Sequence, residues 1–563
     1  MTEESATTVD LVTRAVIEHR LNTIVAEMGE AMLRTSYSQI LNASRDFSIA
    51  ILDPLARLIA QADHIPIHVG ALPWAVRAVE ERFTGQIAPG DVILLNDPYH
   101  GGSHLPDLTA FVPIFHEGER VFWAVVRAHM GDIGGATHGA YNPEATEIWQ
   151  EGLRVPPVKI CDAGVMRDDL VDMMALNVRF PRDFRGDMAA MIGAARFGMA
   201  RIEALLKEYG LVTVRSATED ILDVAENSAR AIVAGWPDGT YQGLAELDDD
   251  GTGREDIAIH AEVTVTGDTL EVDLTRSDPQ SQRFVNSSHA NTQAAVAMAF
   301  AYLLDVDIAR NDGAFRPLKV KLKPGTIVCA NNSVPVALST SHPSNEIVEA
   351  ITRALEKACP ERTVGGWGRR FRISLTGDNP RNGRRFIWHM FHARPGGGAS
   401  SQGDGWSCAG EWHAVGGIKF GSIEVTEARF PLMFTRHEFR PGSAGDGQFR
   451  GGMGAVMDLR IDVPVYAHTA GDGARHGSAG IAGGADGLPH DYRLDDGTDI
   501  ISLPTKSFGQ RFPGGSVLHI LSSGGGGWGD PFQRDPQARI RDLKLGLSSD
   551  GAARGQGDVE NPS

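Results

Sequence analysis

Residues 96–107 read NDPYHGGSHLPD, directly after the apolar run Val92, Ile93, Leu94 and Leu95. His104 and Asp107 stand three apart on this loop. A second histidine, His129, closes the next apolar stretch, Val121 to Val126, through Arg127 and Ala128. Imidazole and carboxylate donors together suit zinc, manganese or iron(II), and three ligands with open positions make a site that can activate water. The same residues also read as a capping turn at HLPD and a hydrogen-bonded core histidine, and spacing alone leaves both readings open.

Further candidates crowd the same region: Asp46, His64, His68, Asp97, His100, Asp132 and His138. Asp46 opens an apolar run beside Arg45, so it reads either as a strand-edge ion pair or as a fourth ligand or water-orienting base. Asp97, ahead of Pro98, reads as a turn former, and Asp132 can cap its own Gly-rich turn. His64 and His68 flank Pro66, where packing and substrate-loop roles are equally open.

These residues need rigid elements to aim them. Asp46 to Leu52 and Val92 to Leu95 read as strands, as does the stretch ending at His129, so the candidate ligands fall on strand-end loops. A long amphipathic helix is expected from Asp10 to about Arg34, where Val12, Val16, Ile17, Leu21, Ile24, Val25, Met28 and Met32 share one face. Further helices are expected near Trp74 to Phe83, Asp187 to Tyr209 with Gly210 as its cap, Glu219 to Ala234, Thr292 to Leu304, and Asn345 to Lys357 with Ser344 as N-cap. HAEVTVTGDTLEVDL reads as a hairpin turning at Gly267-Asp268.

From about Thr363 glycine dominates, which suggests an irregular β-rich lobe. The expected fold is therefore α+β and multi-lobed: a mixed α/β metal-site lobe over 1–236, a mixed strand and helix lobe over 237–362, a Gly-rich β lobe over 363–550 and a disordered tail over 551–563.

The bulk composition narrows the functional classes. The 563 residues carry 42% apolar and 22% charged residues, the make-up of an ordinary globular protein. A net charge of −19 without a Lys/Arg block argues against a nucleic-acid partner. Four dispersed cysteines form no CxxC pair, which fits a reducing cytoplasm. MTEESATTVD lacks the features of a signal peptide, and no apolar run reaches spanning length, so no membrane role is expected. No lysine follows a glycine, and neither GxSxG nor HExxH occurs, which removes the P-loop, the nucleophile elbow and the zincin helix. The single GxGxxG, at Gly524, Gly526 and Gly529, is followed by Asp530-Pro531 where a dinucleotide-binding helix should start, and reads as a tight loop.

NDPYHGGSHLPD, followed by AHMGDIGG and TEIWQEGLRVPPVKI, resembles the hydantoinase B family, the second subunit of ATP-dependent hydantoinases and oxoprolinases. HIPIHVGALP, LLDVDIARNDGAFRPLKV, EVTEARFPLMFTRHEFRPGSAGDGQFRGGMG and GGGGWGDPFQRDP extend the resemblance over nearly the whole chain. It implies a metal centre at His104, Asp107 and His129, with Asp46 belonging to the same centre. It also implies a hetero-oligomer with a hydantoinase A-type partner that uses ATP and Mg²⁺ to phosphorylate a carbonyl or enol oxygen of the substrate. The family often has a second histidine where this chain has Met130, which argues against an essential ligand there.

On this basis the expected function is the metal-bearing subunit of an ATP-dependent amidase acting on a cyclic amide, a hydantoin or lactam. Metal-activated water would attack the phosphorylated amide, and Asp132 could tune a ligand histidine. The alternatives are a subunit of an acetone- or acetophenone-type carboxylase acting on a ketone, and a non-catalytic structural subunit.

Overall fold

In the computed structural model, residues 9–62, 64–138 and 141–547 are described, so the expected tail over 551–563 lies outside them. The fold is α+β, with four sheets among the described residues. The first is antiparallel, in the order β2-β1-β5-β4-β3-β6-β7. Its strands are β1 (Phe47–Leu52), β2 (Leu58–Ala62), β3 (Val92–Leu95), β4 (Asp107–His116), β5 (Glu119–His129), β6 (Val158–Asp162) and β7 (Val165–Met166).

Its central strands are apolar on both sides because both faces are covered. Phe47, Ile49 and Ile51 pack with the helices Leu11–Thr35 and Pro181–Tyr209, whereas Ala50, Leu52, Phe111 and Trp123 meet the helix Leu72–Arg82. Asp10 caps the first of these helices, accepting from the N–H groups of Val12 and Thr13.

The second sheet, β11-β10-β9-β8, contains β8 (Gly239–Asp249), β9 (Glu255–Thr266), β10 (Thr269–Asp273) and β11 (Leu318–Lys321). The hairpin at Gly267-Asp268 joins β9 to β10, with Gly267 at φ 59°. The helix Pro343–Leu355 packs on this sheet and on the helix His289–Ala301. Ser344 is not its cap. Pro343 begins the helix with its φ already fixed, so Ser344 lies inside and donates to the carbonyl of Ser339. The helix expected from Glu219 starts at Leu211, because Gly210, at φ 80°, ends one helix and opens the next.

Two further sheets build the Gly-rich region. One, β13-β12-β16-β19, holds β12 (Phe371–Asn379), β13 (Arg384–His389), β16 (Val465–Gly471) and β19 (Lys506–Phe512). The other, β14-β15-β20-β17-β18, holds β14 (Leu432–Phe439), β15 (Ala455–Ile461), β17 (Asp491–Asp495), β18 (Ile500–Ser502) and β20 (Val517–Leu521). Between them Ile373, Leu375, Trp388, Leu459, Leu518 and Ile520 form a separate apolar core. The glycines after β20 are packing residues: a Cβ on Gly525 would lie 2.0 Å from the carbonyl oxygen of Gly397. In place of a cofactor-binding helix, Asp530 caps a single 3₁₀ turn, Pro531–Gln533. Among the described residues no helix is long and apolar enough to cross a membrane.

Candidate metal centre

Three neighbouring interior strands of the seven-stranded sheet meet at their ends. Asp107 opens β4 directly opposite His129, the last residue of β5, in the antiparallel register. Asp46 immediately precedes β1, and its carbonyl accepts from the N–H of His129 at 3.0 Å. Strand pairing therefore sets the spacing of three candidate residues far apart in sequence.

The HLPD turn brings in the fourth. The Asp107 N–H donates to the carbonyl of His104 at 3.1 Å, and the His104 ring returns to Asp107 with Nε2 2.8 Å from Oδ1. His129 Nδ1 lies 3.2 Å from the same oxygen. Ligand atoms of His104, Asp107 and His129 all fall within 4.8 Å of one another, and all three residues are buried.

The loop is fixed from behind. Asn96 donates to the carbonyls of Leu105 and Leu153 and accepts from the Val155 N–H. Gly101, at φ 91°, rests on the backbone of Trp74 and Ala75, where a Cβ would sit 2.6 Å from Ala75 N. Ser103 donates its hydroxyl to Asp107 Oδ2. Beneath the site the fully buried Arg127 donates to Thr109 Oγ1 at 2.8 Å and to the His68 carbonyl at 3.0 Å.

The donor chemistry fits a metal. A carbonyl only accepts, so the 2.6 Å contact between His104 Nδ1 and the Ala337 carbonyl places a proton on Nδ1 and makes Nε2, the atom facing Asp107, the one that can take a metal. His129 is pushed down to about 3 by burial, so its ring is the neutral, ligating form, and its buried Nε2 has no protein partner. Burial alone would raise the Asp107 carboxyl, but His104 and His68 beside it hold it well below the usual carboxylate range.

Sequence reading left His68 open, and the structure brings it in. The short helix Pro66–Gly70 places its Nε2 3.3 Å from Asp107 Oδ2 and 3.8 Å from Asp46 Oδ1. On its other side Asp46 faces Arg372, 3.9 Å away on β12. Tyr141 stacks on His129 at 6.2 Å between centroids and accepts a hydrogen bond from Arg372 Nη1. Arg372 was missed entirely, since nothing local marks a strand residue more than two hundred positions away as part of this site.

The remaining candidates lie apart from the donor set. Asp132 turns its carboxylate to Arg179, which also ties down the carbonyls of Gly135 and Thr137. Asp97 caps the turn Pro98–His100 and pairs with Arg154 and His100. His64 packs against Phe47, and His138 contacts His468 at 3.1 Å.

Glu151 supports the site at one remove. Its buried carboxyl, pushed up to about 8 by burial, accepts from the N–H groups of Val336 and Ala337 at 2.9 and 2.8 Å. Ala337 is the residue whose carbonyl orients His104. Glu151→Ala is expected to weaken metal retention by roughly 10- to 100-fold, as outer-sphere substitutions do, with Glu151→Gln milder. Chelator competition measures this, and unchanged retention in the alanine variant would remove Glu151 from the site.

Antiparallel strand ends that converge on a buried His-Asp-His donor set define a class of multi-sheet α+β protein with an internal site. The chain belongs to the Hydantoinase B/oxoprolinase family, whose sequence model matches residues 10–531. It is 36% identical over 557 residues to caprolactamase subunit beta of Pseudomonas jessenii, covering 97% of this chain and 95% of that protein. It is also 27% identical to 5-oxoprolinase 1 of Arabidopsis thaliana, over 92% of this chain but only 42% of that protein. The crystal structure of ATP-dependent caprolactamase from P. jessenii superimposes with a TM-score of 0.91 at 34% identity, covering 96% and 95% of the two chains. A nucleotide-free acetone carboxylase structure shares the fold, with a TM-score of 0.83 at 20% identity over 96% of this chain and 78% of that one.

Proposed function

We propose that this chain is the metal-bearing subunit of an ATP-dependent cyclic amidase that opens a lactam or hydantoin ring after a partner subunit has phosphorylated the substrate. The observation that carries the reading is the buried His104, Asp107 and His129 set in a chain 36% identical to a caprolactamase subunit over almost its full length.

An amide is a poor electrophile, and O-phosphorylation turns it into an imidate-like phosphate that water can attack. A bound zinc, manganese or iron ion would lower the pKa of water from about 15.7 toward about 7 and so supply hydroxide at neutral pH. The protein holds His104 in one tautomer through Ala337, keeps His129 neutral by burial, and sets Asp107 between them. Asp46, within reach of His68 and Arg372, completes or orients the set, and Asp132 acts through Arg179 to hold the turn that follows His129.

A separate ATP-using partner is supported by the subunit name of the caprolactamase relative and by the length of the plant oxoprolinase, of which this chain matches less than half. The four cysteines are free thiols, which fits a reducing, cytoplasmic setting.

The test is an assay of the chain with its partner subunit, ATP and Mg²⁺ on a panel of lactams, hydantoins and ketones, with and without bicarbonate. Bicarbonate-independent ring opening supports the amidase. Bicarbonate-dependent consumption of a ketone would replace it with the carboxylase reading, and a chain without stoichiometric metal whose complex keeps its activity in His104→Ala would be a structural subunit.

A further inference from the structure

We infer that the face of β12 opposite the metal centre is an oxyanion seat that takes the phosphoryl group of the activated substrate. The inference rests on the proposed function, because the phosphorylated substrate is the partner subunit's product.

Residues alternate along β12. Phe371, Ile373 and Leu375 point into the C-terminal core, so Arg372, Ser374 and Thr376 share the opposite face, the one on which Arg372 reaches Tyr141 and Asp46. Each of these three is 2% exposed, yet Arg372 Nε and Nη2, Ser374 Oγ and Thr376 Oγ1 have no hydrogen-bond partner within the protein. Such groups are rarely left unpaired in a protein interior, so this face suits a ligand that accepts from Arg372 and from the hydroxyl next to it.

The chemistry of these groups selects an oxyanion. A guanidinium only donates and a hydroxyl can donate beside it, and Arg presents planar, paired N–H groups that match phosphate oxygens. The guanidinium is held in place between the rings of Tyr141 and Phe391, 4.6 and 5.0 Å from their centroids.

The face also lies beside the candidate ligands. His389 pairs with Ser374 across the β12–β13 ladder and lies beside His129 and Gly131. A cleft of about 250 Å³, lined by Met130, Gly131, Asp132, Ile387, His389 and Phe391, opens next to it. Arg384 and Arg385 stand at this cleft on exposed backbone, where they favour entry of an anion.

The experiment is calorimetric titration of inorganic phosphate, and in parallel of acetate, into the full metal-loaded chain and into the chelator-stripped chain. Four proteins are compared: wild type, Arg372→Gln, Arg372→Lys, and the double variant Ser374→Ala with Thr376→Val, whose metal content is measured alongside. Phosphate is expected to bind wild type, and to bind Arg372→Gln and the double variant at least tenfold more weakly at unchanged metal content, with a weaker but still Arg372-dependent signal in the stripped chain.

Phosphate binding that ignores both substitutions would overturn the inference by assigning the anion to the metal alone. Acetate binding as tightly as phosphate through the same residues would make the face a carboxylate seat instead. Metal-dependent ring opening together with either of those outcomes would leave the proposed function standing and sink only this inference. Absence of bound metal with Arg372-dependent phosphate binding would sink the proposed function and with it the assignment of the anion to an activated substrate, leaving a phosphate seat alone.

Discussion

His104→Ala in the assembled enzyme is expected to lower ring opening by at least about a thousandfold, while substrate-stimulated ATP hydrolysis, the partner's step, continues without matching product. A thousandfold corresponds to about 4 kcal/mol of barrier, a modest share of what generating hydroxide at neutral pH supplies. The loss should be this large because His104 contributes both a donor and its orientation. Its Nδ1 is tied to Ala337 and its Nε2 faces Asp107, so alanine removes the donor and its orienting contact together. The variant should still fold, because the HLPD turn is also held by the backbone bond from Asp107 and by Asn96. Ring opening within tenfold of wild type would show that His104 has no part in the chemistry.

Arg127→Met carries the largest expected cost in stability, about 3–5 kcal/mol, read as a lower midpoint of denaturant unfolding. Arg127 is fully buried beside the candidate metal centre, and burial brings its guanidinium down to about 10, against the opposing pull of Asp107. Methionine fills much of the volume but leaves Thr109 Oγ1 and the His68 carbonyl without their donor, and removes the charge nearest Asp107 from below. Because His68 is held through that carbonyl, metal retention should fall together with stability. Arg127→Lys should recover little, since one ammonium cannot span Thr109 and the His68 carbonyl with the fixed geometry of the guanidinium. An unchanged midpoint in the methionine variant would show that the guanidinium is not a structural tie.

What the sequence revealed and what it hid follow from the range of the forces involved. Strands β1, β3 and β5 were legible because they are uniformly apolar runs ended by polar loops, and the convergence of His104, Asp107 and His129 followed from placing those loops at strand ends. Ser344 misled because its cap chemistry is local, and Pro343 one residue earlier overrode it. The start of the second long helix was hidden because Gly210 reads as an end, and nothing nearby shows that it is also a beginning. His68 could not be placed because its distance to Asp107 depends on how the short helix Pro66–Gly70 sits against β4. Arg372 lay beyond reach for a different reason: Gly-rich sequence around it masked a regular strand whose alternation, once seen, sorts Arg372, Ser374 and Thr376 from Ile373 and Leu375. Glu151 acts through the backbone of residues 336 and 337, a link no side-chain pattern encodes.

The metal content of the purified protein decides whether His104, Asp107 and His129 hold a metal. About one transition-metal ion per chain is expected in the wild type, lost in Asp107→Ala and in His129→Ala, with ring-opening activity restored to chelator-stripped wild type by adding the metal back. A wild-type chain without stoichiometric metal, or one whose metal survives both substitutions, would contradict this expectation.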